Sequence, residues 1–381
     1  MIIKNIDIEY LMSHRYGWHK IIEELNKTVN SNIILVDFMD KYFNLWFELP
    51  KIINYNNITY NFINKDVYYH INDNNKEDIF VYYDKFNLYH IFKWYSEYNE
   101  FKLLKGDLIN NLKKKINSDI INSDWIGILH YPEFISDMNY DSYESFENIL
   151  KSNTFLESIK YCKCIITLSK YLKDYIYNIL IKHNYNILIK VIYHPTDFNC
   201  KLFKYKSFIR NKKKKIIQIG FWMRKSNTIY NIESTKYIKY WLPGGKYWKE
   251  MFCKIYDNHN EYLMNKSVNI KLNLNNEEYD NLLSNNIILL DVFNSSANNT
   301  VLECIARNTP LLVCYHPAIV EYLGINYPLY FNSIKELNNI IESKNFNKKI
   351  KKSHLYLKNM NKDKFKINYY CDSFNNILNN I

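Results

Sequence analysis

Short apolar runs alternate with amphipathic stretches along most of the chain. The runs fall at residues 32–38, 79–83, 125–130, 164–168 and 187–193 in the first half. In the second half they fall at 215–220, 267–272, 287–293, 310–314 and 329–331. Each is apolar throughout and bounded by polar residues, the pattern of parallel strands buried on both faces. The stretches between, at 18–29, 143–161, 170–183, 277–284, 299–307, 318–323 and 333–342, have helical periodicity. Strands crossed by helices predict βαβ units and open parallel sheets. The pattern occurs once on each side of a polar, basic stretch at 199–214, so two Rossmann-like domains are expected. In such sheets ligands bind beyond the carboxyl ends of the strands. No repeat of 20 to 50 residues is visible in the sequence, which argues against solenoids and propellers.

Length and composition agree with that division. The chain has 381 residues, more than one core usually fills. With 47% hydrophobic and 23% charged residues it is not a disordered chain. The formal charge of +11 either favours anionic partners or reflects the coding bias of an AT-rich genome, which the 36 tyrosines also suggest. The run Lys212–Lys215 reads as a solvated linker. Seven cysteines without paired spacing, including Cys162 and Cys164 at a strand start, read as core thiols of a reducing compartment. The first residues lack a signal pattern, and no apolar run approaches the ~18 residues that span a bilayer. The expectation is a soluble, cytoplasmic protein without a transmembrane segment.

Candidate chemistry concentrates in two segments. In the first, the 287–293 strand runs into Asn294, Ser295, Ser296, Ala297, Asn298, Asn299 and Thr300, then a helix carrying Glu303. Free backbone N–H groups and the dipole at such a helix start attract an anion. Ala297 permits close approach, and Glu303 stands where its carboxylate accepts hydrogen bonds from vicinal hydroxyls. The segment is either a nucleotide-diphosphate site or an ordinary capped helix with an exposed Glu. In the second, the 215–220 strand ends at Gly220, followed by Phe221, Trp222, Met223, Arg224 and Lys225. It is either a pyrophosphate clamp or a glycine turn with surface cations. His194 and His316 have no second ligand at metal spacing, so no metal is expected. Gly244-Gly245 is a mobile loop or a tight turn. No GxSxG, Walker A or HExxH pattern occurs.

The order Gly220…Lys225, Glu303, then Asn308-Thr309-Pro310 before an apolar strand, then Glu321, resembles the nucleotide-sugar domain of GT-B glycosyltransferases, especially the family-4-like group. The resemblance covers most of residues 120–345 and identifies a divergent, viral or bacterial type. It implies that Lys225 and Arg224 clamp the donor diphosphate, that Glu303 holds the ribose, and that the loop Ala297–Thr300 offers backbone amides. It also implies that His130, at the end of the 125–130 strand, positions the donor sugar or activates the acceptor, and that Arg15 and Gly17 lie in an acceptor loop. Two departures stand out. Ser295 occupies the place of the first acid of the E-x7-E motif, and Phe221 that of the arginine after the strand glycine.

The resulting expectation is an α/β protein of GT-B architecture. Residues 1–195 would form an acceptor domain, 196–214 a linker and 215–345 a nucleotide-sugar domain. Residues 346–381 would return as a helix to the first domain, with Tyr369, Tyr370, Phe374 and Leu378 apolar. The expected activity is transfer of a sugar from a nucleotide-diphosphate sugar to an acceptor, by a retaining and metal-independent route without a cofactor. The rivals are a nucleotide-sugar epimerase on the same fold, and a basic nucleic-acid-binding protein on a degenerate scaffold. The acceptor, a glycan, protein or nucleic acid, and the oligomeric state are not legible.

Overall fold

The computed structural model describes residues 2–4, 18–29, 31–43, 59–62, 69–72, 77–83, 89–95, 100–104, 122–133, 145–244, 248–272 and 274–381. Two compact units divide the chain. The smaller comprises Met1–Asp7, Asn32–Leu129 and Ser142–Ile165; the larger comprises Ile8–Ser31, His130–Asp141 and Ile166–Ile381.

Strands β1 (Ile2–Lys4) and β2 (Ile34–Val36) pair in parallel, Ile2 opposite Ile34. They open a five-stranded sheet, but the chain first makes five other strands. These are β3 (Thr59–Phe62), β4 (Tyr69–Asn72), β5 (Glu77–Tyr83), β6 (Tyr89–Tyr95) and β7 (Glu100–Leu104), an antiparallel meander in sequence order. The run at 79–83, read from the sequence as a βαβ strand, therefore belongs to an antiparallel sheet. The connections explain this: they are four to six residues long, and a parallel crossover needs about a dozen or more. Strands β8 (Trp125–Leu129), β9 (Cys162–Thr167) and β10 (Ile189–Val191) complete the first sheet, whose order is β1-β2-β8-β9-β10. In the smaller unit the buried Trp125 donates its indole N–H to the Ser158 carbonyl at 2.9 Å, within a cluster of Phe43, Phe146 and Phe155. The single helix expected at 143–161 breaks into Phe146–Ile149, Asn153–Ser158 and a 3₁₀ turn, because Ser152 caps a new start by accepting from the Phe155 N–H.

The second sheet contains β11 (Lys215–Ile219), β12 (Ile238–Leu242), β13 (Val268–Ile270), β14 (Ile287–Leu290), β15 (Leu311–Cys314) and β16 (Tyr330–Phe331), all parallel. Its order, β13-β12-β11-β14-β15-β16, is doubly wound, and the winding reverses between β11 and β14. Strand β12 was not expected. Within its IKYWL sequence Ile238 is exposed, Lys239 and Tyr240 are half-buried and only Trp241 and Leu242 are buried, so it lacks the continuous apolar run of its neighbours. Strand β14 stops at Leu290 rather than 293; beyond it Val292 forms a single antiparallel bridge with Arg224.

The helix Ile367–Leu378 buries Tyr370, Cys371, Phe374 and Ile377 and packs on the helix Trp18–Thr28. Tyr370 meets Trp18 edge-on at 6.1 Å, and Asn375 Nδ2 donates to the Thr28 carbonyl. Tyr369, expected on the apolar face, is exposed. Among the described residues, no helix is long and apolar enough to cross a membrane.

Candidate functional site

The loop after β11 is held at several of its residues. Gly220 has φ of +81°, a left-handed conformation that costs a side-chain-bearing residue roughly 1–2 kcal/mol. A Cβ there would also stand 2.6 Å from Arg224 Nε, since the Arg224 side chain lies over the glycine and donates to the Trp222 carbonyl. Lys225 donates its backbone N–H to the Asp291 carbonyl at 2.9 Å. Beneath, the fully buried Gln218 donates from Nε2 to the Lys225 carbonyl and accepts the Ile229 N–H at Oε1. The polar side chain inside an apolar strand thus pins both ends of the 225–229 turn.

Asp291, just past β14, is the buried acid of this region. Its Oδ2 accepts from the Thr228 hydroxyl at 2.9 Å, and its Oδ1 lies 3.6 Å from Lys225 Nζ. The Asp291 side chain is 6% exposed and that of Lys225 is 44%. Burial pushes the Asp291 carboxyl above its ordinary pKa, opposed by the ammonium and the Thr228 hydroxyl.

Lys225, Asp291 and Thr228 line a cavity of about 420 Å³ at the carboxyl ends of β11, β14, β15 and β16. Asn227, Asn231, Tyr315, His316, Asn332 and Ser333 supply most of its other polar groups. His316 bonds Asn294 Oδ1 through Nε2 at 2.9 Å. That oxygen also accepts the Ser295 N–H, and an amide oxygen only accepts, so Nε2 carries the proton. Tyr171 packs edge-on against the ring at 5.1 Å. Burial first, and Lys225 second, push the His316 pKa down to about 4, leaving a neutral imidazole at neutral pH.

The loop expected to cradle the diphosphate is largely occupied by its own chain. Ser295, Ser296, Asn298 and Thr300 are buried. Asn294 Nδ2 donates to the Glu133 carbonyl, and the Ser296 hydroxyl donates to the His130 carbonyl. Asn298 caps the helix Asn299–Arg307 by accepting the Thr300 N–H at 3.0 Å. Ala297 and Asn299 are half-buried. His130 therefore meets this loop through its backbone; its ring packs edge-on against Trp18 at 4.5 Å.

Glu303 lies within the same helix but does not line the cavity with Lys225. Its Oε2 is 3.8 Å from Arg307 Nη1, one turn on, and Tyr279 hydrogen-bonds its carboxylate. Arg307 is almost wholly buried and donates from Nη2 to Asp280 Oδ1 at 2.7 Å. The alternatives left open by the sequence thus narrow: Glu303 is a mostly buried, partnered acid (17% exposed side chain), not an exposed one. Glu321 caps the helix Lys170–Lys182, accepting the N–H groups of Lys170 and Tyr171 at 2.7 Å each. Arg15, Gly17 and Gly245 lie outside the described residues; Gly244 has φ of +65°. No cluster of three or more His, Cys, Asp or Glu side chains could hold a metal among the described residues.

Three residues of the site escaped the sequence reading: Gln218, Thr228 and Asp291. The signal was present for two of them, since Gln218 interrupts KIIQI and Asp291 ends IILLD. A polar side chain within an otherwise continuous apolar strand must find a partner or sit at a site.

No family model matches the chain, and no curated protein matches it. Solved structures do. HepE of Anabaena, in complex with UDP and glucose, superposes with a TM-score of 0.52 at 10% identity, over 72% of this chain and 75% of that one. Sucrose-phosphate synthase from Thermosynechococcus elongatus gives 0.52 at 12% identity, over 71% of each chain. The pneumococcal O-GlcNAc transferase GtfA, with UDP and GlcNAc, gives 0.50 at 10%, over 85% of this chain and 70% of that one. All three are GT-B glycosyltransferases from bacteria, and the likeness lends no support to the viral type. At these identities the likeness speaks for architecture alone: two parallel sheets, the second wound about the β11–β14 switch point, give this chain the GT-B fold.

Proposed function

We propose that the chain is a glycosyltransferase taking a nucleotide-diphosphate sugar as donor. One observation carries this reading. On a GT-B fold, a half-exposed lysine lines a polar cavity at the carboxyl ends of the strands that flank the switch point. The bound ligands of HepE and GtfA, UDP with glucose and UDP with GlcNAc, favour a UDP-sugar.

In this reading Lys225 meets the charge that develops on the departing diphosphate as the glycosidic bond breaks. Arg224, carried by the same Gly220 turn, is the second cation, and the N-terminal amides of the helix Asn299–Arg307 add their dipole. Glu303, held beside Arg307, receives the ribose hydroxyls. His130 contributes from the strand end by which it holds Ser296. These groups neutralise the leaving group by themselves, so the reaction proceeds without a metal, and the configuration at the anomeric carbon is retained. The acceptor binds through a separate surface, with Arg15 and Gly17 as its candidate contacts.

Titration calorimetry with UDP-glucose, UDP-GlcNAc and GDP-sugars tests the donor, and the anomeric proton signal of the hydrolysis or transfer product tests retention. Binding of at least one UDP-sugar that Glu303→Ala weakens tenfold or more, unaffected by EDTA, is the expected result. Failure of every nucleotide sugar to bind sinks the proposal.

A further inference from the structure

The buried acid beside Lys225 has no place in the reaction as proposed, and it is expensive to keep. A carboxylate taken out of water costs several kcal/mol unless it is paired. Asp291 nevertheless ends a strand of four fully buried apolar residues. Its two oxygens are treated differently. Oδ2 is tied to the Thr228 hydroxyl. Oδ1 is sealed from solvent; the Lys225 ammonium stands 3.6 Å away, longer than an ordinary hydrogen bond, and the Cys314 thiol also approaches the carboxyl group. The pair therefore attracts mainly by charge, at a separation that spends little of the ammonium's N–H capacity on the carboxylate. Around it, Gln218, the Arg224–Val292 bridge and the Lys225–Asp291 backbone bond hold both main chains in place. The flexible part left is the four-carbon lysine stem, and an electrostatic tether at its tip limits where it reaches.

We infer that Asp291 is a positioning residue, whose buried carboxylate holds the Lys225 ammonium against the cavity while leaving its N–H groups to an anionic ligand. The inference rests on the proposed function for the identity of that ligand, a nucleoside diphosphate group, and on geometry alone for the tether. It also bears on Ser295, where the resembling family carries an acid. In this chain the acid at the strand end is Asp291, four residues earlier, and it acts through the lysine and not on the ligand, since Oδ1 is covered.

A double-mutant cycle reads the tether directly. Asp291→Asn keeps the size of the side chain and an oxygen for Thr228 but removes the charge. It is expected to weaken UDP binding by the full-length protein at least tenfold, and to have no further effect in a Lys225→Met background. Equal losses in both backgrounds would show a general structural role and overturn the inference, as would wild-type affinity in Asp291→Asn. Should Asp291→Asn fail to fold, Thr228→Val loosens the same carboxylate and is expected to weaken UDP binding about threefold, again only when Lys225 is present. A reductively ¹³C-methylated sample provides a readout independent of any donor. The dimethyl-Lys225 signal, identified by its absence from Lys225→Arg, is expected to stand apart from the exposed lysines and to join them in Asp291→Asn or Thr228→Val. If UDP does not bind, the proposed function fails while this signal still decides the tether; a signal unmoved by either substitution overturns it.

Discussion

Two loops leave the central strands of the second sheet, one after β11 and one after β14, and they spend their polar groups in opposite ways. In the 220–229 loop the main chain is fixed by Gln218, Asp291 and Val292, which leaves the Lys225 side chain 44% exposed at a cavity. In the 294–300 loop the side chains themselves do the fixing. Asn294, Ser296 and Asn298 are bonded to Glu133, His316, His130 and the helix start, and all three are buried. The contrast separates two meanings of a polar loop. Where backbone and buried partners hold the chain, a side chain is free to act on a ligand; where side chains hold the chain, the loop contributes shape and its remaining amides.

The sharpest way to break this contrast is at its two key side chains. Lys225→Ala is expected to lower donor turnover at least a thousandfold, about 4 kcal/mol of transition-state binding, measured as UDP release in steady state. Retained activity would mean that the first loop is as structural as the second.

Protonation of His316 probes the second loop. Its folded pKa of about 4 lies below the ordinary value of 6.5. Between those values the unfolded chain binds more protons, so stability rises with pH there and is lost as pH falls from about 6.5 toward 4. The loss is on the order of 3 kcal/mol. Urea midpoints across that window should fall for the wild type and flatten for His316→Gln; parallel slopes would exclude His316 as the source.

Gly220→Ala sharpens the role of the first turn. The positive φ and the clash with Arg224 together predict a loss of about 1–2 kcal/mol by chemical denaturation, with weakened donor binding. The smallest effect belongs to Ser296→Ala. Loss of the bond to the His130 carbonyl should cost about 1 kcal/mol of stability and change UDP affinity less than twofold. A larger loss of affinity than of stability would move Ser296 from scaffold to ligand contact.

Strands β11, β14 and β15 were readable to within a few residues because they are buried almost throughout, and the helices that follow β13, β14 and β16 because Asn275, Asn298 and Ser333 cap them. The helix Asn299–Arg307 starts and stops where Asn298 and the left-handed Asn308 place it. Strand β12 was missed for the complementary reason: it is half-exposed, and Lys239 uses its side chain on the Ile232 carbonyl. The meander β3–β7 was missed although its short connections are visible in the sequence, because a single apolar run such as 79–83 does not reveal the direction of its neighbours. At the site, Gly220, Arg224 and Lys225 were legible as neighbours in one turn. That Asp291 stands beneath Lys225 was not, since sixty-six positions separate them in the sequence.

The sequence by itself determined five of the six strands of the second sheet, the helix Asn299–Arg307 with its caps and the cationic turn at Gly220, because periodicity, capping and glycine chemistry act over a few residues. Only the tertiary structure decided which polar residues remain available. Ser296 and Glu321 read as members of the loop and of the motif, yet they are bonded to His130 and to the helix Lys170–Lys182. Whether a hydroxyl or carboxylate faces a ligand or its own chain depends on the partners that folding brings from distant segments, and local pattern carries no record of them.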